Sequence, residues 1–159
     1  MILFHGSNAE VLRPKLLKRQ RELDFGKGFY TTSDLEQATS WARRTARIRN
    51  IGKPIVTSYE VDDSALKAMS TLRFQEPDRA WLDYVTANRR GMAANDTWDI
   101  VIGPVANDQT FPTILLYLDG YLDADAAIRQ LLPQNLKDQY VFKTEDAISL
   151  LSCKEVLAV

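Results

Sequence analysis

The sequence has a single cysteine, Cys153, and a single histidine, His5. One thiol excludes an internal disulfide and any metal site built from paired thiolates within one chain. One imidazole removes His-Cys-Cys clusters, His-Glu-x-x-His helices and three-histidine zinc sites, so no metal is expected. A Ser-His-Asp or Cys-His arrangement would have to use His5 as its base, and no Gly-x-Ser-x-Gly or comparable nucleophile signature accompanies it. Long apolar runs are also missing. A run such as Ile114 to Leu118 falls far short of the roughly 20 residues that cross a bilayer, and no membrane association is expected. Met1 to His5 lacks the basic stretch, apolar stretch and cleavage site of a secretory signal, so the expected address is cytoplasmic. No repeat, low-complexity block or Pro/Gly/Ser-rich linker divides the chain, and 1–159 reads as one domain.

What is present suits a folded core. Hydrophobic residues make up 45% of 159 and charged residues 26%, a balance that excludes a disordered tail. The net charge of -1 is unlike a dedicated nucleic-acid binder. The charge is uneven, however. Residues 1 to 60 hold 11 Lys/Arg against 6 Asp/Glu, and the rest hold 9 against 15. Such asymmetry prepares one face for an anionic ligand, a dinucleotide phosphate or a nucleic acid.

Ile2 to His5 reads as a first strand and Gly28 to Thr32 as a second. Ser33-x-x-Glu36 reads as a capping box that starts a helix from Asp34 to about Arg49. Leu35, Ala38, Trp41, Ala42 and Thr45 share one face of it, and Arg43, Arg44 and Arg47 lie largely on the other, a solvated face or a phosphate contact. Further strands are expected over Pro54–Val61, Asp99–Gly103, Gln139–Phe142 and Glu155–Val159. Helices are expected over Asp78–Arg90, Phe111–Asp119, Asp123–Leu132 and from Thr144 through Leu151. Trp41, Trp81, Trp98 and Cys153 are taken as core residues. The elements lack a regular βαβ beat, which favours α+β.

Three segments carry the chemistry: Leu3-Phe4-His5-Gly6-Ser7, Asp24-Phe25-Gly26-Lys27-Gly28-Phe29-Tyr30-Thr31-Thr32, and Asp138-Gln139-Tyr140-Val141-Phe142. In that order and spacing the chain resembles the histidine-tyrosine-glutamate branch of the ADP-ribosyltransferase superfamily, which holds diphtheria toxin and the poly-ADP-ribose polymerases. It is closer still to small bacterial ADP-ribosyltransferase-like domains, some of them in toxin-antitoxin loci. Phe-Gly-Lys-Gly-Phe-Tyr is the most specific string, and the likeness spans nearly the whole chain.

The resemblance implies a split antiparallel β-sandwich with flanking helices, holding NAD as co-substrate in the cleft between its sheets. It implies that His5 hydrogen-bonds the adenosine ribose, that the Gly6 backbone holds the nicotinamide amide, and that nicotinamide stacks on Tyr30. Ser7 would assist at the ribose, and Gly28 would let the ligand lie against the chain. The residue types suit these tasks: glycine permits close backbone approach, and a tyrosine ring offers a flat face to a cationic aromatic group. A lone histidine at a strand end can donate to a ribose hydroxyl without a charge change.

Gln139 stands where the family has its catalytic glutamate, which removes a negative charge from the neighbourhood of the developing ribosyl cation and disfavours chain elongation. Val141 at the Glu-x-Glu position argues against the arginine-specific branch. The loop Gly103 to Asp108 follows a buried strand. Asp108 in it either positions the acceptor or compensates for the missing glutamate, and Asn107 and Asp108 equally suit a loop-fixing role. The expected function is mono-ADP-ribosyl transfer to a protein or nucleic-acid acceptor, with an antitoxin as a further partner. An inactive NAD or ADP-ribose binding module and an NAD glycohydrolase are the alternatives.

Overall fold

The computed structural model describes residues 1–18, 23–92, 97–106 and 109–159. Strands β1 (Ile2–Ser7), β3 (Ile55–Glu60) and β7 (Ser152–Ala158) form one antiparallel sheet in the order β1-β3-β7. Strands β2 (Phe29–Thr31), β4 (Thr71–Arg73), β5 (Ile100–Pro104) and β6 (Asp138–Phe142) form the second, in the order β2-β6-β5-β4. The sheets meet where Phe4 and Thr32 exchange both backbone hydrogen bonds, at 2.8 and 3.0 Å. The chain is thus α+β with two sheets, and one expectation needs correcting: β4 runs parallel to β5, so the second sheet is mixed. Parallel pairing follows from the intervening helix α3 (Arg79–Arg89), a crossover long enough to return the chain to the same end.

Helix α1 (Leu35–Arg49) lies on the first sheet. Ala38 and Ala42 pack on Val56, and small residues let the helix come close. Its N-cap is Asp34, whose carboxylate accepts from the Gln37 N–H at 2.8 Å. The expected Ser33/Glu36 box does not form, because the Ser33 hydroxyl and N–H donate to the Asp138 carboxylate at 2.6 and 3.0 Å. Leu35, placed on the buried face by periodicity, is 42% exposed at the first turn.

The remaining helices are α2 (Asp63–Ala68), α4 (Phe111–Leu118), α5 (Ala124–Leu131) and α6 (Glu145–Ile148). Helix α3 buries Trp81, Leu82 and Val85 against Phe25, Val101 and Val141, with α4 and α5 closing that core. Each large side chain buried there stabilises the fold by about 1.5–3 kcal/mol relative to exposure. A second core of Leu3, Phe29, Tyr59, Ile100, Tyr140 and Phe142 lies on the opposite face of the β2-β6-β5 sheet.

Periodicity missed α2 and β4, which are too short to show a period, and ran the α6 helix to Leu151 where it stops at Ile148. Trp81 is buried as expected, but Trp98 is 38% exposed, Trp41 is only half-buried, and Cys153 is exposed on β7, a strand at the sheet edge. Among the described residues no helix is long and apolar enough to cross a membrane.

Candidate functional site

The two sheets diverge just beyond Phe4 and Thr32, and the divergence leaves backbone groups open. In an extended strand the N–H and C=O of a residue point to one side and those of its neighbours to the other. Phe4 directs both toward Thr32. Gly6, two residues on, therefore directs its N–H and C=O the same way, into the opening, and neither has a partner there among the described residues. Tyr30 likewise faces β1, and its carbonyl accepts from His5 Nδ1 at 2.7 Å.

A carbonyl only accepts, so Nδ1 carries the proton of the neutral ring and Nε2 is left as an acceptor. With Nδ1 spent as the donor to Tyr30, Nε2 of the neutral ring can only accept a hydrogen bond. The ring stacks on Phe29 with centroids 4.3 Å apart. Burial in these dense surroundings lowers the His5 pKa; the bond to Tyr30 opposes the shift, and the charge of Arg49 adds to it. The neutral form therefore holds at pH 7. Ser7 points to the same face of β1 as His5 by alternation.

Tyr30 lies on the β2 face opposite Phe29, paired with Val141 and half-buried against the α3 core. Its hydroxyl donates to the Gly26 carbonyl at 2.6 Å and accepts from the Phe25 N–H at 3.1 Å. Burial first, then the nearby Asp24 charge, pushes the phenol pKa well above its ordinary value, so the hydroxyl stays a donor. Two neighbours complete the hold on this turn: Asn88 Nδ2 donates to the Asp24 carbonyl at 3.1 Å, and Lys143 Nζ to the Phe25 carbonyl at 2.7 Å. Three consecutive carbonyls are thus each held by a side chain.

Asp24 itself is buried and accepts from Arg89 Nε at 2.7 Å. Burial outweighs Arg89 and raises its pKa. Asn88 Oδ1 is buried and has no hydrogen-bond partner among the described residues; a Cβ on Gly26, whose φ of +75° favours glycine, would stand 2.8 Å from it. Sequence reasoning missed Asn88, Arg89 and Lys143, because residues 64 to 118 positions from the turn carry no local signal.

Tyr30→Phe keeps the ring but strips the Phe25 N–H and Gly26 carbonyl of their partner. The expected cost is about 1–2 kcal/mol of unfolding free energy by denaturant titration. An unchanged midpoint would show that the hydroxyl does not hold the turn.

Gln139 is 1% exposed and donates through Nε2 to the Pro104 carbonyl at 3.4 Å. The register puts it on the Tyr30 face, two residues along β6 from the Tyr30–Val141 pair. Gly28 is buried, and a Cβ there would stand 2.5 Å from Val141 Cγ1 and 2.9 Å from the Phe142 carbonyl, so its missing side chain makes room for β6. Asp108 and Asn107 lie outside the described residues. The structure thus brings His5, Gly6 and the Tyr30 backbone together at the split and buries Gln139 with its amide on the Pro104 carbonyl of the neighbouring strand. Among the described residues no group of three His, Cys, Asp or Glu could hold a metal ion.

A two-sheet α+β domain with open backbone groups where its sheets part is the class that fold and site define. The sequence matches, over residues 1–153, the family model described as "Protein of unknown function (DUF3990)", and the chain belongs to that family. No curated protein and no solved structure matches it.

Proposed function

We propose that this chain is a mono-ADP-ribosyltransferase that binds NAD, releases nicotinamide and transfers ADP-ribose to a macromolecular acceptor. The observation that carries this reading is the meeting of His5, Gly6 and Tyr30 at the parting of the sheets, in the order the family resemblance implies. A carboxamide presents one acceptor and one donor edge, which complements the open N–H and C=O of Gly6. The Nε2 of His5 accepts a hydrogen bond from a ribose hydroxyl without any charge change. Nicotinamide stacks on Tyr30, whose ring is fixed by its bonded hydroxyl. Rate is gained only where the developing ribosyl cation is stabilised more than bound NAD is, and Gln139 contributes a neutral dipole in place of the family's charge.

The burial of Gln139 favours a second reading, an NAD or ADP-ribose binding module without turnover. Nicotinamide release separates the two, and label retained on a macromolecule separates transfer from glycohydrolysis.

NAD at millimolar concentration is expected to raise the melting temperature by ligand linkage at pH 8, and His5→Ala to abolish the rise. The sign of the pH effect follows from the lowered His5 pKa. The unfolded chain, with its value near 6.5, binds the proton more readily than the fold does. The contribution of neutral His5 is therefore complete above pH 6.5 and is lost as pH falls toward the folded value. Protonation also removes the Nε2 acceptor, so the NAD shift shrinks at low pH together with stability. Absence of any NAD shift in the wild type at pH 8 sinks both readings.

A further inference from the structure

The acceptor class is left open by the reading above, and the surface around the Ser7 end of the split narrows it. Asn8 is tied to the α1–β3 turn by three bonds: Arg49 Nη1 donates to its Oδ1 at 2.9 Å, its Nδ2 donates to the Ile51 carbonyl at 3.0 Å, and the Lys53 N–H donates to its carbonyl at 3.1 Å. The residue following Ser7 is therefore pinned beside the Arg49 guanidinium. From there α1 exposes Arg43, Arg44 and Arg47 away from the Ala38–Ala42 stripe that packs on Gly6. Residues 36–53 hold five basic and one acidic residue, a formal +4, and the rest of the chain carries -5, giving the total of -1. No acidic residue occurs from Gln37 to Tyr59.

We infer that this basic collar docks the phosphate backbone of a nucleic acid, and that the acceptor of the transferred ADP-ribose is a nucleic-acid nitrogen or oxygen. The inference rests on the proposed transferase reading. All four cations on α1 are arginines, whose planar forks match phosphate oxygens two bonds at a time. An unbroken run of one sign suits a repeating polyanion better than a protein surface of mixed charge. Arg49 links collar and site, since its charge is felt at His5. In the transfer, the bond from ribose C1′ to nicotinamide breaks with its electron pair leaving on nicotinamide. The nucleic-acid nucleophile forms the new bond to C1′ and gives up its proton to solvent.

The test uses the full chain with fluorescent single-stranded RNA and DNA 20-mers, read by anisotropy at several salt concentrations. Arg43→Glu/Arg47→Glu reverses two exposed charges on the outer face of α1, opposite the stripe that packs on Gly6. The double variant is expected to bind at least tenfold more weakly. Its salt slope should be shallower by about one to two units, as loss of two phosphate contacts requires, with the NAD melting shift retained. Incubation with labelled NAD should then place nuclease-sensitive label on the oligonucleotide. Equal binding by wild type and double variant overturns the collar, and label appearing only on protease-sensitive material overturns the acceptor class in favour of a protein. If the NAD shift is missing from wild type, the transferase reading fails, while the anisotropy comparison still decides the surface.

Discussion

Gly6→Ala is expected to destabilise the fold by about 3 kcal/mol or more. A Cβ at this position would stand 2.0 Å from the Ala38 carbonyl oxygen and 2.7 Å from the Ala42 nitrogen, both backbone atoms of α1. Neither can yield as a flexible side chain does. The helix must move off β1 as a unit, giving up the packing of Ala38 and Ala42 on Val56. The same displacement shifts the open N–H and C=O of residue 6, so any protein that remains folded should lose its NAD melting shift. Denaturant titration measures the first effect and thermal melts the second. A variant with wild-type stability would mean that α1 sits less tightly on β1 than described.

Gln139→Glu is expected to be the most pH-dependent substitution in the chain. Gln139 is enclosed and its amide donates to the Pro104 carbonyl, which also accepts from Trp81 Nε1 at 2.9 Å. Among the described residues, a carboxylate there would face the Pro104 carbonyl oxygen and find no hydrogen-bond donor. Burial without compensation raises a carboxyl pKa by several units. The sign follows: with its folded pKa above the unfolded value near 4.3, the variant's glutamate is tolerated below pH 4 and costs stability as pH rises toward and through the folded pKa. The variant should lie within about 1 kcal/mol of wild type at pH 5 and fall about 3 kcal/mol below it at pH 8. Equal destabilisation at both values would show that the site is already solvated. Nicotinamide release measured alongside asks whether, under the proposed transferase reading, an acidic group at 139 reaches the ribose at all. No gain over wild type is expected while the side chain at 139 stays buried.

The strands and helices with strong patterns were legible in the sequence. The Ile-Val-Ile run of β5 and the 3.6-residue spacing of Trp81, Leu82 and Val85 in α3 stand in the structure nearly where the pattern put them. Asp78 caps α3 through its bond to the Trp81 N–H at 2.9 Å, and Thr144 caps α6. The α1 cap was not legible. Ser33 and Asp34 both suit an N-cap, and Asp138, 105 residues away, takes Ser33 out of that role. Trp98 and Cys153 were placed in the core by residue type, yet their positions outside it are set by the start of β5 and by the edge of the first sheet.

The sequence by itself determined the inventory: one imidazole beside a glycine, a Gly-x-Gly turn before a tyrosine strand, a glutamine within the Asp138 to Phe142 strand, and a half of the chain rich in arginine. The tertiary structure decided what those residues are free to do. Gly6 has open polar groups because β2 leaves β1 after a single pair, and His5 has Nε2 available because Nδ1 is spent on a carbonyl 25 residues away. Tyr30 is a turn-holder as well as a ring, and Gln139 is buried with its amide on the Pro104 carbonyl of the neighbouring strand, through partners that no periodicity brings together. Local pattern fixes which face a side chain takes. Whether its polar atoms are already satisfied depends on strands and loops distant in sequence, and only the folded chain supplies them.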